Sequence, residues 1–213
     1  MNDDPYVYPG TFVLKNKFGI RDAAQLDVAE RVITRARMRE PMPVPPAMTP
    51  DGYRAIHKHL FRDVYFWAGA FRTVNLEKLV TKNKTVEFAP GYLVPVNMTR
   101  IFGELKADDY LRGLDGDTFA FRAAVYMEDL NRTHPFREGN GRVQRVFLDH
   151  LTAQAGHTLD RSRIDPKKWM AGSVQSFGQG PQGNHDIMTR VIREVMTIRR
   201  DPIRGGDTRN LSD

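Results

Sequence analysis

Apolar residues recur along most of this chain at three- and four-residue steps, and one central stretch breaks the rhythm. Ala24, Leu26, Val28, Ala29, Val32, Ile33 and Ala36 predict a helix beginning near Asp22. The run Pro41-Met42-Pro43-Val44-Pro45-Pro46 ends it, because proline lacks the amide hydrogen and biases its predecessor away from helix. Thr49-Pro50-Asp51 opens the next helix, with Tyr53, Ile56, Leu60, Val64 and Trp67 as its apolar face and Gly69 as its stop. Between Phe71 and Val96 the pattern turns β-like. Thr73-Val74-Asn75-Leu76 and Thr85-Val86-Glu87-Phe88-Ala89 flank the polar Thr81-Lys82-Asn83-Lys84, which predicts a hairpin closed by Pro90-Gly91. Such a lone hairpin leaves an edge that is either shielded or used to pair with another chain.

Helical spacing returns over Met98–Leu105. A turn-rich link at 108–117 follows, then a helix capped by Thr118 that runs to about Arg132, with Phe119, Ala123, Tyr126, Met127 and Leu130 inward. A further helix spans about Gly141 to Ala155, and two more are predicted over Pro166–Phe177 and Ile187–Arg200 around the Gly/Gln-rich loop 178–184. The chain reads as one mainly α domain over residues 1–200, with 201–213 as a flexible tail.

Composition narrows the function. The 213 residues suffice for one core without metal or disulfide staples. The absence of cysteine excludes thiol catalysis and fits a reducing cytosol. No apolar run approaches the roughly 18 residues of a membrane span, and Met1-Asn2-Asp3-Asp4-Pro5 lacks the features of a secretory signal. The expectation is a soluble protein. A net charge of +6 raises nucleic-acid binding as a question. The basic residues are scattered, however, with no aromatic-interleaved patch, so a direct nucleic-acid partner is not expected. His57 and His59, two apart, point to different helical faces and do not make a metal pair.

The chemistry concentrates in His134-Pro135-Phe136-Arg137-Glu138-Gly139-Asn140-Gly141-Arg142, followed by Val143-Gln144-Arg145. Gly139 and Gly141 permit positive φ and close approach of a ligand to the backbone. Lying before a helix, their N–H groups make an anion hole, to which Asn140 adds a side-chain amide. Glu138 is a hard oxygen ligand suited to Mg²⁺, which is held by one or two carboxylates together with substrate phosphates. Arg142 and Arg145 share a helix face beside the cradle and can bond phosphate through charge-assisted pairs. His134 can take a proton from a hydroxyl near neutral pH. Together these residues predict phosphoryl or nucleotidyl transfer. No Gly-Lys-Ser/Thr follows the glycines, so this is not a Walker A loop.

His134 through Arg145 resembles the complete Fic signature, His-x-Phe-x-Asp/Glu-Gly-Asn-Gly-Arg-x-x-Arg, without departure at a defined position. The similarity extends from Tyr6-Val7-Tyr8-Pro9-Gly10-Thr11 to about Arg200. It implies a Fic-type helical bundle with a single β-hairpin flap at about 71–90, and transfer of AMP from ATP to a hydroxyl of a protein, releasing pyrophosphate. By matching position, His134 is the base and Glu138 the Mg²⁺ ligand. Gly139, Asn140 and Gly141 cradle phosphates, Arg142 grips the distal phosphate, and Arg145 supports the same site, with Arg137 counted in the nucleotide-binding set. The flap would register the target segment by β-augmentation, with Glu87 and Phe88 nearest the ATP. Leu111-Arg112-Gly113-Leu114 would help hold the adenine.

Many Fic proteins carry an inhibitory Ser/Thr-x-x-x-Glu-Gly/Asn helix whose glutamate pairs with the signature's second arginine. None occurs here; the nearest stretch, Thr73 to Lys78, has lysine in the last place. The resemblance therefore implies a stand-alone toxin or effector restrained by a separate small antitoxin, with an inserted glutamate expected toward Arg142. It implies a cytoplasmic bacterial protein or one delivered to a host cell. Targets would be DNA gyrase and topoisomerase IV, or small GTPases, and the basic flap tip around Lys82 and Lys84 would favour an acidic partner surface. Alternative readings are a divergent Fic phosphotransferase or phosphocholine transferase, and a non-catalytic nucleotide-binding module.

Overall fold

The computed structural model describes residues 4–42, 47–81, 84–175, 177 and 185–197. The flap tip at 82–83, the loop 178–184 and the segment 198–213 lie outside the described residues. Seven helices and two short antiparallel strand pairs make up the described fold. The expectation of a mainly α fold with a hairpin holds. The second strand pair, β3 (Thr158–Leu159) with β4 (Met196–Thr197), was not foreseen, because two-residue strands leave no periodic signal.

Helix α1 (Ala23–Arg39) starts where the pattern placed it, with Asp22 accepting from the Gln25 N–H at 2.8 Å. Its inward face differs from the expected one. Val28 and Val32 are 60% and 64% exposed, whereas Leu26, Glu30 and Thr34 are buried. The apolar stripe mispredicts the face because the helix packs polar residues against an arginine described below.

Helix α2 (Pro50–Phe61) is capped by Thr49 Oγ1, which accepts from the Gly52 N–H. It ends at Phe61 rather than near Gly69, and Val64 and Tyr65 reach the core from the turn that follows. Hairpin strands β1 (Glu77–Thr81) and β2 (Lys84–Glu87) pair with Glu77 opposite Glu87 and Lys78 opposite Val86. The first strand thus begins at Glu77, later than the β-leaning Thr73–Leu76, which forms an extended leg instead.

Helix α3 (Val94–Ala107) begins with proline in its first turn. Helix α4 (Gly116–Thr133) is capped by Asp115 rather than Thr118; the Asp115 carboxylate accepts from both Asp117 N–H and Thr118 N–H. Phe119, Ala120, Ala123, Ala124, Met127 and Leu130 make α4 the central element of the core. Helix α5 (Asn140–Gln154) follows the signature loop, α7 (Asp186–Val195) packs on α4, and α6 (Pro166–Gln175) packs on α7. Helix α7 gives way to β4 after Val195, short of the expected Arg200.

Candidate active site

The signature loop is held open by backbone geometry at both ends. His134 caps α4 in the left-handed region (φ 46°, ψ 61°), and its N–H still donates to Leu130 O at 2.9 Å. Gly139 caps α5 with φ 86°; a Cβ there would lie 2.3 Å from the Phe61 ring, so glycine is required for conformation and for space. Phe136 is the loop's anchor, buried and stacked on His57 with centroids 3.9 Å apart. His57 Nδ1 accepts from Gly69 N–H at 2.8 Å, so its Nε2 carries the hydrogen directed to Glu138 O at 3.1 Å. Burial pushes the His57 imidazole down to about 3, so it serves as a neutral brace.

Asn140 departs from its expected role. Its side-chain Oδ1 accepts from Phe136 N–H at 2.9 Å and its Nδ2 donates to Phe136 O at 2.7 Å, so the buried amide closes the loop on itself. Arg142 N–H donates to Gly139 O at 3.0 Å, so the first-turn N–H groups of α5 left without an acceptor among the described residues are those of Asn140 and Gly141, which are open to an anion.

His134, Arg137, Glu138, Gly139, Asn140, Gly141, Arg142, Arg145 and Phe88 line one cleft of about 380 Å³. Phe88 stacks on the His134 imidazole, with centroids 3.7 Å apart. His134 Nδ1 faces Asn131 O at 3.3 Å, which leaves Nε2 as the acceptor, without a partner among the described residues. Burial pushes this imidazole down to about 3, and the positive charges of Arg72 and Lys78 act in the same direction.

The arginines differ. Arg137 Nε donates to Asp4 at 2.8 Å. Arg142 Nη2 donates to Glu30 at 2.5 Å and to Glu138 Oε1 at 3.3 Å, Nη1 donates to Thr34 Oγ1 at 3.1 Å, and the guanidinium lies over Phe61. Tyr65 OH donates to the other oxygen of Glu30. Arg145 has no ion pair among the described residues, and burial followed by the neighbouring charge of Arg142 lowers its pKa.

Two expectations are not brought to the cleft. Glu87 is exposed on the outer side of the flap, because strand alternation turns Val86 and Phe88 inward. Leu111, Arg112, Gly113 and Leu114 lie before the N-terminus of α4, whereas His134 caps its C-terminus; 18 residues of helix separate them by about 27 Å. Leu111 is packed in the core, and Leu114 O accepts from His157 Nε2.

Sequence reasoning missed the slot adjoining the cleft, lined by Lys78, Asn131, Gln144, Trp169, Met170 and Ser173 among others. Gln144 Nε2 and Trp169 Nε1 are buried donors there without partners among the described residues. Glu30 and Arg72 were missed as well. Glu30, Arg72 and Trp169 sit on elements remote in sequence from the signature, whereas Gln144 stands within it at an undefined position, and only the unusual burial of such polar groups marks them.

This fold and site define a class, and comparison with known proteins agrees. Residues 47–152 match the Fic/DOC family. The chain is 39% identical over 182 residues to a probable protein adenylyltransferase, y4lH, of Sinorhizobium fredii, covering 82% of this chain and 88% of that one. It is 36% identical to protein adenylyltransferase VbhT of Bartonella schoenbuchensis over 92% of this chain, but spans only 40% of that protein's length. Among solved structures, the BepC protein of Bartonella tribocorum, a VirB-translocated effector with bound AMPPNP, superposes with a TM-score of 0.79 at 27% identity, covering 92% of this chain and 97% of that one. The chain belongs to the Fic family and is an enzyme of the protein adenylyltransferase type.

Proposed function

We propose that the protein transfers AMP from ATP to a hydroxyl side chain of a target protein, with pyrophosphate as the leaving group. The observation that carries this reading is the placement of His134, its Nε2 without a hydrogen-bond partner among the described residues, at the junction of the anion cleft and the adjoining slot and against Phe88 of the flap. The target oxygen attacks the α-phosphorus, the bond from that phosphorus to the bridging oxygen breaks, and pyrophosphate takes the electron pair. The hydroxyl proton passes to Nε2. The first turn of α5, Arg142 and Arg145 hold the phosphates against developing charge. The orphaned donors of Gln144 and Trp169 suit the acceptors of a nucleoside, which supports the slot, rather than Leu111–Leu114, as its binding place.

Glu138 fits Mg²⁺: Oε1 accepts from Gly139 N–H at 2.8 Å, whereas Oε2 makes no hydrogen bond among the described residues. Bound there with the phosphates, the metal would neutralise part of their charge.

Incubation with ATP and a bacterial or host lysate, followed by mass spectrometry, tests the reading and locates the target. A gain of AMP is expected. A gain of phosphate would favour the phosphotransferase alternative, and no gain would favour a binding module. Labelled bands would also separate topoisomerases from small GTPases, and a bacterial from a host site of action.

A separate small inhibitor remains part of this reading, with one revision. Arg142 already carries two carboxylates, so an inserted glutamate would meet Arg145, which has none. A copurifying partner that inhibits the Arg145→Ala variant as strongly as the unaltered chain would count against that contact.

A further inference from the structure

Arg72 is the largest fully buried side chain in the described structure, at 1% exposure. A buried cation is ordinarily paired with an anion. This guanidinium instead bonds to carbonyls throughout. Nε donates to His134 O at 2.7 Å, Nη1 to Val74 O at 2.5 Å, and Nη2 to both Ala89 O at 2.5 Å and Thr133 O at 3.0 Å. Its backbone N–H donates to Pro135 O at 2.9 Å. The carbonyls at the end of α4 lack intrahelical donors and carry the negative end of the helix dipole, so they compensate the charge in place of a carboxylate.

The bonded carbonyls come from three segments: the end of α4 that presents His134, the leg entering the flap at Val74, and the leg leaving it at Ala89. Other contacts act at the same level. Ala89 N–H donates to Arg132 O of α4 at 2.9 Å, and Gly91 N–H joins the two legs by donating to Asn75 Oδ1 at 2.9 Å. A Cβ at Gly91 would lie 2.6 Å from Thr73 O, so the legs cross in contact. Above this base, Phe88 stacks on the imidazole.

We propose that Arg72 is a positioning residue for AMP transfer: its planar fork fixes both flap legs to the carbonyl of His134 and so sets the distance between a flap-bound hydroxyl and the base. The inference rests on the reading of His134 as base and the hairpin as target platform. A lysine cannot reproduce it, because an ammonium offers no rigid fork to four separated acceptors.

The test compares the full chain with Arg72→Lys. AMPPNP titration should still give one site with Kd changed by less than about threefold, since the cleft's own groups are untouched. The turnover rate for AMP transfer should fall by about thirtyfold or more, as expected when reacting groups are held slightly out of place. A merely structural role would lower nucleotide stoichiometry and activity together, in proportion to the folded fraction. That outcome, or a turnover rate within about threefold of the unaltered chain, overturns the proposal. Absence of AMP transfer by the unaltered chain would instead overturn the functional reading itself. Should Arg72→Lys fail to fold, amide exchange in the unaltered chain decides. Arg72, Ala89 and His134 should share one opening rate; exchange of Ala89 more than about tenfold faster than that of His134 overturns the clamp.

Discussion

At the scale of single residues, the site depends on two backbone positions in the left-handed region and one neutral imidazole. Gly139 illustrates the first. A Cβ would strain φ 86° and meet the Phe61 ring at 2.3 Å, and Phe61 is itself buried. Gly139→Ala should destabilise the fold by about 2 kcal/mol or more and weaken AMPPNP binding, measured by urea unfolding and by titration. His134 illustrates the second. Its pKa is pushed down to about 3, first by burial and then by Arg72 and Lys78. A group with a depressed pKa stays unprotonated at every pH well above that value. The imidazole resonances of His134 in the nucleotide-free chain, followed by NMR, should therefore be flat from pH 8 to about 5.5, with no acid limb at the ordinary histidine value near 6.5. A limb centred near 6.5 would refute this environment. His134→Ala should abolish transfer while AMPPNP binding stays within about threefold; loss of both would make the histidine structural.

At the scale of elements, α1 is more than a cover for the core. Its buried Glu30 joins Tyr65 to Arg142, and Thr34 holds the same guanidinium. The helix thereby orients a signature arginine that lies more than a hundred residues away in sequence. Glu30→Gln removes the charge but keeps the shape, leaving Arg142 with only its longer contact to Glu138 as an ion pair. Thermal and urea unfolding should show a loss of about 1–3 kcal/mol, below the full cost of breaking a fully buried pair because Arg142 is partly exposed. The KM for ATP should rise as the guanidinium loses its orientation.

At the scale of the molecule, the helices of the family match do not make a complete core. Leu26 and Val13 belong to the same apolar cluster as Phe61, Phe136 and Val143, and they precede the matched residues 47–152. A chain beginning at residue 47 should lose cooperative unfolding by circular dichroism and bind no AMPPNP. Cooperative unfolding in that fragment would show that α1 and the preceding loops are dispensable. No helix among the described residues is long and apolar enough to cross a membrane.

Helical periodicity by itself determined the mainly α class, the approximate places of the helices and the hairpin between α2 and α3, because each follows from local spacing and from proline and glycine punctuation. The signature from His134 to Arg145 determined which groups meet, since its spacing alone brings an imidazole, a carboxylate and two guanidiniums to one helix start. Tertiary structure decided how those groups are used. Asn140 braces Phe136, Arg142 is engaged by Glu30, and Leu111–Leu114 stand at the far end of α4, because each depends on elements distant in sequence meeting in space. The same reason hid Arg72. In the sequence it is one basic residue among 32, and only the fold buries it among four carbonyls between the flap and His134.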